Sequence, residues 1–127
     1  MEDLIFLLLI GLNMKHFFAD FLLQFSWMIA GKGSIRMAGG YVHAAIHVIG
    51  TGLVLWLLSV SLQTIAVLIL AEFVIHYLLD FSKARAGNGI SSTERPKAFW
   101  ALIGLDQLLH QLTYVGIVYF VVIDMPL

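Results

Sequence analysis

Four stretches of mainly apolar sequence, residues 4–30, 39–60, 62–81 and 98–122, make up most of the 127-residue chain. Each holds the roughly 20 residues that an α-helix needs to cross the hydrocarbon core of a bilayer. In lipid every main-chain N–H and C=O must be satisfied internally, and runs of this length do so as helices. Composition agrees: 61% of the residues are hydrophobic and 12% charged, against about 25% charged in a soluble domain. The chain reads as all-α, a polytopic membrane protein whose residues 1–127 form a single four-transmembrane-helix bundle. Its opening, MEDLIFLLLIG, is acidic where a secretory signal peptide is basic, so it reads as a retained first helix.

Only SVSLQ separates the second and third spans, which predicts a tight helical hairpin. The other connections are GKGSIRMAG and KARAGNGISSTERPK, the second punctuated as a loop by Gly, Asn, Ser and Pro. Ser92 or Thr93, followed by Pro96, marks the start of the fourth helix. Lys32, Arg36, Lys83, Arg85, Arg95 and Lys97, six of the seven basic residues, lie in or beside these two loops. The positive-inside bias puts both loops in the cytoplasm and both termini on the non-cytoplasmic side.

Each span also carries a polar stripe. His16, Asp20 and Gln24 are spaced by four, and so are His43 and His47; Glu72, His76 and Asp80; and Asp106 and His110. Residues four apart share one helix face. All five histidines have a His, Asp or Glu four positions away, although composition alone gives any one of them such a partner about one time in five. The spans alternate in direction, yet at 1.5 Å rise per residue the stripes overlap in a layer about 6 to 18 Å below the loop end of the bundle. Sequence-distant pairs can therefore meet. Ionisable groups at membrane depth are expensive and turn toward a bundle interior.

A His and carboxylate layer of this size suits a divalent metal. Imidazole nitrogen and carboxylate oxygen favour zinc, with manganese or iron as alternatives. The candidate ligands are His16, Asp20, His43, His47, His76, Asp80, Asp106 and His110; with Glu72 they make nine side chains, enough for one ion with supporting carboxylates or for two ions. Gln24, Gln107 and Gln111 read as interhelical hydrogen-bonding groups, Gln24 and Gln107 in support of the site. Lys15 lies one residue off the His16 stripe and either neutralises an inner carboxylate or points to another helix. Lys83, three residues after Asp80, is a phosphate-attracting group at the mouth of the site or an ordinary loop-side anchor. Trp27, Trp56, Trp100, Tyr41 and Tyr114 read as interfacial belt residues outside any site. Gly39, Gly40, Gly50 and Gly52 read as points of close helix approach. With no cysteine in the chain, a disulfide framework, a thiolate zinc site and a cysteine nucleophile are excluded. The net charge of −1, without a basic stripe, gives no sign of nucleic-acid binding.

Taken together, KHFFADFLLQFSWMIAGK, HAAIH, HYLLDFSK and DQLLHQL resemble the DUF3307 family of small bacterial and phage integral membrane proteins. The resemblance implies residence in the bacterial inner membrane. It carries over His16, Asp20, Gln24, His43, His47, His76, Asp80, Lys83, Asp106, Gln107 and His110 as family-motif positions, whereas Glu72 belongs to its stripe by spacing. More distantly the chain resembles inner-membrane proteins described as metal-dependent hydrolases.

The leading expectation is thus a membrane-embedded metallohydrolase. A metal-activated water attacks a lipid or lipid-linked ester or phosphoester near the cytoplasmic face, with Glu72 as general base and Lys83 drawing in an anionic head group. A homo-oligomer is one way for so small a chain to handle a large substrate. An ion, metal or proton transporter is the second expectation, weakened because LIFLLLIGL and IVYFVVI supply no polar path through the outer half. The third is a bundle locked by metal or hydrogen bonds that binds a partner protein.

Overall fold

A computed structural model describes residues 1–124, and among them all regular structure is helical. The chain forms α1 (Glu2–Phe17), a π turn (Phe18–Leu22), α2 (Ser26–Gly31), α3 (Ala38–Leu57), α4 (Leu62–Ala86) and α5 (Pro96–Asp124). Four helical segments, Glu2–Leu22, Ala38–Leu57, Leu62–Ala86 and Pro96–Asp124, are long and apolar enough to cross a membrane. The last three residues of the expected 1–127 domain lie outside the described residues.

Neighbouring spans run antiparallel. Gly11 meets Val54 and Gly50 meets Lys15 across α1 and α3, while Lys83 meets Asp106 and Thr64 meets Asp124 across α4 and α5. In each pair, rising numbers on one helix face falling numbers on the other. The packed pairs are α1 with α3, α3 with α4, α4 with α5 and α5 with α1, which closes a four-membered ring around one interior.

The distribution of polarity is that of a membrane bundle. Large apolar side chains cover the outside, with Phe21 68%, Ile49 70% and Leu62 75% exposed, while His43 and His47 are fully buried. The interior divides in two along its length. Toward the termini Leu8, Leu12, Leu55, Ile65, Leu68, Ile117 and Val121 form an apolar core. Toward the long loops the interior is filled by imidazoles and carboxylates.

The first span departs from expectation. Residues 4–30 are not one helix: α1 widens into a π turn, closed by the Leu23 N–H to Phe18 O bond of 2.9 Å, and Phe25 is extended before α2 begins. A π turn inserts an extra residue and re-aims the side chains around it. Gln24 Nε2 donates to Asp20 O at 2.9 Å, the carbonyl that an unbroken α-helix pairs with the main-chain N–H of Gln24. The short α2 then docks on α3 at bare backbone. A Cβ on Gly39 would stand 2.7 Å from the carbonyl oxygens of Met28 and Trp27, so only glycine allows this approach.

The other three spans form as expected with longer or shorter ends. The tight turn between α3 and α4 holds Ser59 at φ 61° and is followed by Ser61, whose Oγ caps α4 by accepting from Thr64 N at 3.1 Å. No Gly or Pro interrupts α4 before Gly87, so the helix carries Lys83 and Arg85 past the apolar boundary at residue 81. At the next boundary Ser91, rather than Ser92 or Thr93, accepts from a main-chain N–H, that of Glu94 at 3.1 Å. Pro96 opens α5, where its missing N–H costs nothing.

Candidate metal centre

The i, i+4 stripes place one or two histidines on each span facing the interior, and the ring of helices brings all five together. Centroids of His47 and His76 are 3.9 Å apart, those of His76 and His110 4.4 Å, and those of His43 and His47 4.7 Å. His16 closes the group at 5.3 Å from His47 and 5.7 Å from His110.

Two carboxylates organise the imidazoles. Asp20 Oδ1 lies 2.9 Å from His47 Nε2 and 3.2 Å from His43 Nε2, and its Oδ2 lies 3.1 Å from His16 Nε2. Asp80 faces the other side, with Oδ2 at 3.4 Å from His76 Nε2 and 3.5 Å from His43 Nε2, and Oδ1 at 3.6 Å from His110 Nε2. The shared His43 ring therefore stands between the two carboxylates. Three sets of side chains bring their ligand atoms within 4.8 Å of one another: His16, Asp20 and His47; His43, His47 and His76; and His76, Asp80 and His110.

Several of these atoms lack a hydrogen-bond partner among the described residues. They include His43 Nδ1 and the Nε2 atoms of His76 and His110. Buried polar atoms without partners cost about 1 to 3 kcal/mol each, so a cluster of them is poor structural filling. Nitrogen and oxygen lone pairs converging on a shared space fit a divalent cation.

Lysines surround the cluster and are individually paired. Lys15 Nζ stands 2.5 Å from Glu72 Oε1 and also reaches His47 O at 3.3 Å. Gly50 makes this crossing feasible, because a Cβ there would press on the Lys15 stem at 3.3 Å. Lys32 Nζ lies 2.8 Å from Asp80 Oδ2, and Lys83 Nζ 3.3 Å from Asp106 Oδ2. Asp20 alone of the four carboxylates has no lysine at salt-bridge distance among the described residues.

Against this geometry, the model of the family described as Protein of unknown function (DUF3307) matches residues 4–126. The chain belongs to the DUF3307 family. No curated protein and no solved structure matches it.

Of the DUF3307 motif positions expected from sequence, His16, Asp20, His43, His47, His76, Asp80 and His110 converge on one space. Asp106 stands just outside the three ligand sets: its main-chain oxygen is 2.7 Å from His110 Nδ1, and its Oδ1 is 3.6 Å from the same nitrogen. Gln107 braces the first helix, with Oε1 3.1 Å from His16 Nε2. Gln24 supports the π turn rather than a ring. Glu72, which belongs to its stripe by spacing, is buried and paired through Oε1 with Lys15. This contact also settles the direction of Lys15, which neutralises an inner carboxylate.

Two participants, Tyr114 and Lys32, were not expected, and a third residue follows the same spacing. Tyr114 is no belt residue: it is 1% exposed, and its Oη lies 2.8 Å from His16 Nδ1. The signal was present, since Tyr114 continues the stripe of Asp106 and His110 by another four residues. Thr51 likewise extends His43 and His47 by four and is fully buried. Lys32, which sequence places in a loop, reaches Asp80 because α2 folds back onto α3.

Proposed function

We propose that the cluster binds one or two divalent metal ions, zinc first and manganese or iron next, and that the protein is a membrane-embedded metal-dependent hydrolase of a lipid or lipid-linked ester or phosphoester. The observation that carries this reading is the pair of neighbouring two-His, one-Asp sets, His16 with Asp20 and His47, and His76 with Asp80 and His110. Three protein ligands leave a position open for water or substrate, as catalytic zinc sites do, whereas closed structural sites use four. Charge supports it as well. Lys15, Lys32 and Lys83 offset Glu72, Asp80 and Asp106, leaving Asp20 to be compensated among three imidazoles.

A divalent ion held there would polarise a carbonyl or phosphoryl oxygen and would lower the pKa of its bound water to about 7. The chain's own residues do the rest. Tyr114 and Gln107 fix the His16 ring, and second-layer contacts of this kind set ligand orientation. The general base in this reading is Glu72, whose Oε1 is paired with Lys15 but whose Oε2 is buried and without a hydrogen-bond partner among the described residues. Lys83, whose side chain is 38% exposed, draws anionic head groups. The loop end faces the cytoplasm of an inner membrane in this reading, supported by the six basic residues in and beside the two loops.

A transporter is less well supported, because Leu8, Leu12 and Leu55, each fully buried, fill the remaining length of the interior. A purely structural centre has one observation in its favour, the complete burial of His43 and His47. Turnover separates the readings. The protein reconstituted in lipid and loaded with zinc, manganese or iron is expected to hydrolyse a glycerophospholipid or acyl-ester substrate, to stop on chelation, and to lose activity in Asp20→Asn and His110→Ala. Stoichiometric metal that no chelator reaches, with no turnover, contradicts the hydrolase and supports the structural centre. Ion flux in proteoliposomes that depends on Asp20 and His110 supports the transporter.

A further inference from the structure

We infer that the seam between α4 and α5 is a lateral groove that holds one acyl chain of an anionic membrane lipid, with its head group at Lys83. This deepens the proposed function by naming how a lipid substrate is seated, and it rests on that reading for its purpose only, because binding is measurable without turnover.

Two cavities lie along this seam and share Leu109. The larger, about 410 Å³, runs from Ile75 and Leu109 to Leu68 and Phe120. The smaller, about 160 Å³, continues to Lys83, Leu102 and Asp106. From residue 68 to residue 86 the α4 wall is about 27 Å long at helical rise, nearly the depth of the hydrocarbon core. Small side chains make the depression: Ala71 and Gly116 line the larger cavity, and a Cβ on Gly116 would meet nothing within 4 Å.

The ends of the groove differ in charge, and this selects the occupant. Its far end, at Leu68, Ile117 and Phe120, is apolar. At its loop end stands Lys83, which also lines a further cavity of about 310 Å³ beside Gly87 and Phe99, with room for a head group. A chain of hydrocarbon ending in an anion matches this sequence of surfaces, since the cation favours the anion and the wall favours the tail. The seam also touches the cluster. Asp106 lines the smaller cavity and Glu72 the larger, and these residues contact His110 and Lys15. A lipid seated there puts the junction of tail and head beside the imidazoles.

The test uses the full chain, stripped of metal, in phosphatidylcholine vesicles containing a minor fraction of phosphatidylglycerol with a photoactivatable acyl chain. Crosslinks are mapped by mass spectrometry. Labelling concentrated on α4 and α5 is expected, falling in Gly116→Leu to the level seen on α1 and α3. Ala71→Leu, on the opposite wall, gives the same result and keeps the test decisive if Gly116→Leu does not fold. Lys83→Gln lowers labelling by the phosphatidylglycerol probe about fivefold, and not that by a phosphatidylcholine probe. Labelling spread evenly over all four spans, or unchanged in both groove-filling variants, overturns the groove. Labelling retained in a protein with no hydrolase activity under any metal overturns the proposed function and leaves the groove standing.

Discussion

Lys15 and Glu72 form an ion pair of 2.5 Å in the plane where the apolar core meets the imidazole layer, with 7% and 1% of their side chains exposed. Tyr114 supports the pair, with Lys15 Nζ 4.5 Å from its ring centroid. Removing one partner of such a pair leaves the other buried and uncompensated. Lys15→Met is expected to destabilise the bundle by about 3 to 5 kcal/mol, whereas Lys15→Met with Glu72→Leu recovers most of the loss. Thermal unfolding in detergent checks this, and equal destabilisation by the single and double variants contradicts it.

Tyr114 also orients His16. Tyr114→Phe deletes the hydroxyl 2.8 Å from His16 Nδ1 while keeping the ring that fills the core. It is expected to cost about 1 kcal/mol of stability and about 10- to 100-fold in metal affinity. Zinc titration against a competing chelator reads the second effect; unchanged affinity contradicts an orienting role for the Tyr114 hydroxyl.

The contact of α2 with α3 depends on the missing side chain at Gly39. Gly39→Ala drives a methyl against the Met28 and Trp27 carbonyls and is expected to cost about 1 to 3 kcal/mol. Gly104, in the exposed interior of α5, has open space where a Cβ would stand, with nothing within 4 Å, so Gly104→Ala gains about 0.5 to 1 kcal/mol. Paired melting curves of the two variants, moving in opposite directions, are the expected outcome.

Metal binding to the folded state alone raises stability by mass action, by about 2.7 kcal/mol at a free ion concentration one hundred times Kd. Addition of a chelator is expected to lower Tm and zinc to restore it. Asp20→Asn removes the response, since Asp20 faces His16, His43 and His47. A zinc-dependent shift that survives in Asp20→Asn excludes that carboxylate as a ligand.

Much of this centre was legible in the sequence because an α-helix converts a spacing of four into a shared face. The stripes through His16, His43, His76 and His110 needed only antiparallel neighbours to converge, and four consecutive spans supply them. The break at residues 23–25 was not legible. FLLQFSW contains neither Gly nor Pro, and its interruption follows from docking of α2 on Gly39, a tertiary contact. Lys32 was missed for the same reason, as its approach to Asp80 depends on that fold-back. Lys15 was ambiguous because a long flexible side chain one residue off a stripe can turn either way, and the gap at Gly50 decides it. Tyr114 followed the spacing rule but was assigned by residue type, and its burial against His16 corrects that assignment.

The most direct measurement of the central claim is metal content. The purified chain, exposed to zinc, manganese and iron in turn and freed of unbound ion, is analysed by elemental mass spectrometry beside His43→Ala and His76→Ala. One or two ions per chain in the native protein, with a clear loss in both variants, is the expected result. Unchanged, substoichiometric metal in all three proteins contradicts a metal centre.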